Sequence, residues 1–128
     1  MKVFNRISSS LILLGSLPFV MTACGGDKVS YAQDVKPILD QHCIECHQAG
    51  GEGLTVSGFS MESYDEVMKG TRNGPMIIAG DVEGSNILVL MEGRADPSIS
   101  MPHGEQKPVP KQDIETIKTW IDQGAKNN

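Results

Sequence analysis

The chain has 128 residues, 39% hydrophobic and 21% charged, with three cysteines and a formal net charge of -5. This length admits one small domain with or without a targeting segment, and excludes a Rossmann enzyme, a TIM barrel or a multidomain catalyst. Sixteen acidic against eleven basic residues also argue against nucleic acid as a partner, since binding through its phosphates needs a basic face.

The chain opens on an address. Lys2 and Arg6 form a basic start, no charge occurs from Ile7 to Ala23, and Leu11-Ile12-Leu13-Leu14 is the apolar centre. A membrane span wants about 20 apolar residues. This run is shorter and is interrupted by Gly15 and Pro18, so residues 1–23 read as a secretory signal peptide. Val20-Met21-Thr22-Ala23-Cys24 resembles the lipobox of bacterial lipoproteins, which implies that Cys24 takes the lipid and becomes the mature N-terminus. By the same resemblance, Gly25 rather than Asp after the cysteine favours the periplasmic face of the outer membrane. From Cys24 on, nine basic residues face sixteen acidic ones, a mature net charge of -7. Residues 24–29 read as a tether and residues 30–128 as the folded domain.

The first helix is expected to start at Asp34 as N-cap, which puts Pro37 in the first turn, where its missing N–H costs little. Ser30 with Gln33 forms a competing capping-box pattern, but that start would place Pro37 inside the helix. Val35, Ile38 and Leu39 share a face leading to Cys43. Gly50-Gly51-Glu52-Gly53 reads as a mobile turn and Leu54-Thr55-Val56 as at most a short extended piece. Ser63 with Glu66 starts a second helix that Gly70 ends. A third runs from Ser85 to about Glu92, and the last from Pro110 to Gln123, with Ile114, Ile117, Trp120 and Ile121 on its inner face. No strand alternates over a useful length. The expected class is all-α, about four short helices with long irregular loops, too few to bury much surface by themselves.

Cys43-Ile44-Glu45-Cys46-His47 is a C-x-x-C-H sequence, the attachment signal for c-type haem. Two thiols three positions apart can reach the vinyl groups along one haem edge, and the following histidine is placed to meet the iron. One covalent haem c would supply the apolar bulk that the side chains lack, with Val35, Leu39, Leu88 and Ile117 expected against its faces. A thioredoxin-like couple lacks a βαβ pattern and leaves His47 unexplained. Structural zinc wants a second ligand pair, and only His42, His47 and His103 are available. A disulfide between such close cysteines closes a very small loop and stabilises little.

A low-spin haem needs a sixth ligand, usually Met or His. Met61, Met68 and Met91 fall at helical spacing and read as packing residues. Met76, in Asn73-Gly74-Pro75-Met76, is an alternative. Met101 is preferred, because Pro102 restricts it to extended backbone in an irregular loop from which the thioether can reach inward. His103 comes next. His42 adjoins Cys43 and reads as a surface or hydrogen-bonding residue.

Tyr31 to His47, then Gly80-Asp81 with Ser85-x-Ile87-Leu88, then Met101-Pro102, Ile114 and Trp120-Ile121-Asp122-Gln123-Gly124-Ala125, resemble small monohaem cytochrome c domains of the planctomycete type. The resemblance implies thioethers at Cys43 and Cys46, His47 as proximal ligand and Met101 as distal ligand. It departs at Pro110, where such domains usually cap the last helix with Ser or Thr. With both axial positions so filled, an electron carrier rather than an enzyme is expected; Cys24 implies its lipid tether to the membrane, and the acidic mature chain suggests redox proteins with basic docking surfaces as partners. A haem-based sensor with a labile Met101 is the alternative. A peroxidase-like catalyst would want acid/base residues on a vacant distal face, and only His103 and Glu105 lie close in sequence.

Overall fold

The computed structural model describes residues 26–128; the signal segment, the lipobox and Cys24 lie outside the described residues. A wide π-helical turn, Tyr31–Val35, leads directly into α1, Lys36–His42. Four more short helices follow: α2 (Glu52–Ser57), α3 (Tyr64–Lys69), α4 (Asn86–Met91) and α5 (Lys111–Asp122). No strand occurs among the described residues, only two isolated bridges. The all-α expectation holds, with five α-helices and the π-turn in place of about four.

The first helix begins earlier than expected. Ser30 caps it, its Oγ accepting the Gln33 N–H at 3.2 Å, while Asp34 Oδ2 accepts the Ser30 N–H at 2.7 Å. The objection to this start was Pro37, and the π-turn removes it. The Lys36 N–H reaches back to the Tyr31 carbonyl, and Pro37 then falls in the first turn of α1. Asp34 is therefore not the N-cap: α1 follows Val35 with no side-chain cap, and the Asp34 carboxylate instead closes the return bond of the Ser30 box.

A second correction concerns Leu54-Thr55-Val56, which lies in α2 and not in an extended piece. Local propensity argues against a helix here, since glycine and β-branched residues are poor helix formers. Tertiary bonds override it. The Leu54 N–H donates to Cys46 O at 3.0 Å, and Arg72 donates to the carbonyls of Val56 (2.9 Å) and Thr55 (2.8 Å) at the other end. Gly58 closes the helix in a left-handed conformation, φ 75°. Gly50–Gly53, expected as a mobile turn, is thus the entry to a pinned helix.

The remaining helices follow their sequence signals. Ser63 caps α3 through the Glu66 N–H, and Gly70 ends it. Ser85 precedes α4, and Pro110 and Gln123 flank α5.

The core forms where the π-turn and α4 pack on α5. Val35, Leu88, Ile117, Trp120 and Ile121 are all fully buried. Tyr31 lies 5.5 Å from Trp120 and 5.1 Å, edge-on, from Tyr64. Such aromatic pairs contribute about 0.5–1.5 kcal/mol each beyond the area they bury. The chain after α5 completes this cluster: Trp120 Nε1–H donates to Lys126 O (2.9 Å) and Tyr64 O–H to Ala125 O (2.8 Å). Asn128 closes back on the start of the domain, its Oδ1 accepting the Tyr31 N–H at 2.9 Å.

Candidate functional site

α1 ends at His42, and the next five residues wind on as irregular turns. The amides of Cys43 and Ile44 both return to Leu39 O, and those of Cys46 and His47 both to Cys43 O. This winding turns the Cys43 and Cys46 side chains and the His47 ring toward one cavity of about 380 Å³. That volume lies in the range of about 300–1,000 Å³ typical of cofactor sites.

His47 is buried, 6% exposed. Its Nδ1 lies 2.9 Å from Phe59 O, and a carbonyl can only accept, so Nδ1 carries the proton. In the neutral ring this leaves the lone pair on Nε2, the form in which an imidazole ligates a metal. The Phe59 ring meets the imidazole edge-on at 5.5 Å. The Met61 N–H donates to His47 O at 2.8 Å, which fixes the backbone on the other side of the residue.

The thiols are not bonded to each other. Burial first, and Cys46 beside it second, push the Cys43 thiol up to about 11. A redox-active thiol pair needs the opposite shift, since thiolate is the reacting species. Among the described residues no group of three or more His, Cys, Asp and Glu converges as a metal-holding set, so zinc finds no ligand shell there. An apolar wall carrying two unbonded thiols and an imidazole held through its other nitrogen fits a covalently attached haem.

Four methionines line the cavity: Met61, Met76, Met91 and Met101. Met68 does not. Met61 and Met91, expected only to pack, do both, since they are also members of the core cluster, and Met76 packs against it. Met101 lines the cavity and is not part of that cluster. α4 holds two of these residues by its ends: the Ile87 N–H donates to Met76 O at 3.0 Å, and the Met101 N–H to Leu90 O at 3.1 Å. His103 reaches the cavity from an exposed position. His42 also lines it while pairing through Nε2 with Asp113 Oδ2 at 3.1 Å, which ties the end of α1 to the first turn of α5.

The expected haem-covering residues need correction. Val35, Leu39, Leu88 and Ile117 do not line the cavity; they lie in the core behind it. Ile87, Leu90 and Val109 line it instead. On α4, Ile87, Leu90 and Met91 line the cavity, while Leu88, fully buried, lies in the core. The contributions of Phe59, Gly53 and Ser57 were not foreseen. Phe59 acts through its carbonyl, which any residue type supplies, so no sequence signal could have marked it.

The family model described as planctomycete cytochrome C matches residues 43–105. The match runs from the first motif cysteine through α4 and Met101, and leaves α1 and α5 outside it. No curated protein matches, and no solved structure does.

Proposed function

On the match of residues 43–105 to the planctomycete cytochrome C family model, we propose that this protein is a membrane-tethered monohaem electron carrier acting outside the cytoplasm. Cytochrome c domains serve haem-based electron transfer, and such domains are typically exported. No helix among the described residues is long and apolar enough to cross a membrane, and Cys24 in its lipobox supplies the tether in this reading.

The observation that carries the proposal is His47, buried and donating through Nδ1 to Phe59 O, with Nε2 free beside two cavity-facing thiols. In this reading Cys43 and Cys46 hold one haem c by thioethers, His47 is the proximal ligand and Met101 the distal one. Met101 is chosen because, of the four methionines lining the cavity, Met61 and Met91 belong to the core cluster and Met76 packs against it, whereas Met101 does neither. Bound haem supplies a one-electron Fe(III)/Fe(II) couple, which a methionine sixth ligand biases toward the reduced form. The chain's own part would be to hold that group through Cys43 and Cys46, to exclude water with the apolar wall, and to offer His47 and Met101 as its two protein ligands. The acidic mature chain suits redox partners with basic docking faces, associating more weakly as salt rises.

The test is protein made with a cytochrome c maturation system, examined by haemochrome spectrum and intact mass. One haem bound through two thioethers, a lipidated Cys24 and a far-red iron–thioether band are expected. A colourless folded protein with free thiols would refute the reading.

A further inference from the structure

Two edges of the His47 ring meet the same short segment. At one, Phe59 O holds Nδ1 at 2.9 Å. At the other, a Cβ placed on Gly53 would stand 2.8 Å from Cε1 and 2.9 Å from Nε2, closer than real Cβ atoms come. Gly53 has no positive φ that would call for glycine; it lies inside α2. The ring is what excludes a side chain, and Cys46 O, also 2.9 Å from that Cβ, leaves no room to slide. Gly51 is different, since a Cβ there meets backbone only.

Ser57 joins the two edges. Its hydroxyl donates to Gly53 O at 2.6 Å and accepts the Phe59 N–H at 3.0 Å. One hydroxyl therefore holds both the residue against the Cε1–Nε2 edge and the residue whose carbonyl holds Nδ1. Resting on the reading of His47 as axial ligand, the geometry points to α2 as a two-edged clamp on the proximal imidazole, with Gly53 and Ser57 as its positioning residues. Hydrogen bonding at Nδ1 raises the basicity of the ligating nitrogen and so favours the oxidised metal. Loosening the clamp removes that donation and shifts the couple toward the reduced form.

Haem-loaded Ser57→Ala, Gly53→Ala and Thr55→Ala proteins test the clamp through reduction potential and through solvent exchange of the His47 Nδ1–H by NMR. Ser57→Ala raises the potential and speeds the exchange by about fivefold, the equilibrium effect of one ordinary hydrogen bond. Gly53→Ala shifts the potential further in the same direction and weakens the low-spin signature. Thr55→Ala removes a similar bond in the same helix, Thr55 Oγ1 to Gly51 O at 2.9 Å, and leaves both readouts at the wild-type value. A Ser57→Ala protein indistinguishable from wild type overturns the clamp, as does a Thr55→Ala shift of equal size. Should Gly53→Ala fail to accumulate, the Ser57 and Thr55 variants decide the matter. A His47→Ala protein that keeps the wild-type spectrum refutes the axial reading instead, and the clamp with it.

Discussion

The half of the molecule built on α5 and the half built around the cavity solve opposite packing problems. Around α5, the aromatic rings of Tyr31, Tyr64 and Trp120 pack on one another, and the polar atoms of Tyr64 and Trp120 are satisfied by the carbonyls that follow the helix. Around the cavity, α2 is six residues long, four methionines line the wall, and the space they enclose is apolar and open to a guest. The first half carries its own core. The second is shaped by backbone hydrogen bonds aimed at Cys46, His47 and the two loop methionines, around the cavity of about 380 Å³. Between them stands the His42–Asp113 pair, joining the motif to α5.

If the halves are separable in this way, converting Cys43 and Cys46 together to Ser abolishes covalent haem entirely while the near-ultraviolet circular dichroism of the aromatic cluster survives. Loss of both signals would show that the α5 half also depends on the guest. Trp120→Ala strikes the other half and lowers unfolding free energy by about 3–5 kcal/mol, the usual cost of emptying a fully buried aromatic site, read by denaturant titration. Met101→Ala removes the far-red thioether band and Met76→Ala leaves it; the reverse result would move the distal ligand to the loop before α4.

The smallest effect sharpens the contrast within the aromatic half itself. Tyr31 is 5% exposed and its hydroxyl has no hydrogen-bond partner among the described residues. Tyr31→Phe therefore stabilises the fold by about 1 kcal/mol, because an unsatisfied buried hydroxyl is removed and nothing is lost. The same substitution has a pH signature. Burial first, then Asp40 and Tyr64, push the Tyr31 phenol from 10.0 up to about 12. The folded state then keeps a proton that the unfolded chain releases, so wild-type stability falls as pH rises from about 10 toward 12. The Tyr31→Phe protein lacks that part of the decline. A variant whose alkaline unfolding curve matches wild type would remove Tyr31 from the account.

Sequence patterns identified the motif, the all-α class and the two ends of α3 at Ser63 and Gly70, because each is a local matter of spacing or of one residue meeting a nearby amide or turn. The same reasoning misplaced the start of the first helix, since Ser30 and Pro37 issue contradictory local instructions that only a π-turn reconciles. It also missed α2, where glycine and β-branched residues argue against a helix that Cys46 O and Arg72 impose from outside.

The sequence by itself determined that two thiols and an imidazole would stand together, because five consecutive residues bring their side chains with them wherever the backbone goes. The tertiary structure alone decided which tautomer His47 adopts, which methionines reach the cavity and which apolar residues wall it. Those outcomes depend on the Phe59 carbonyl and the ends of α4, partners distant in the chain that leave no periodic trace in it.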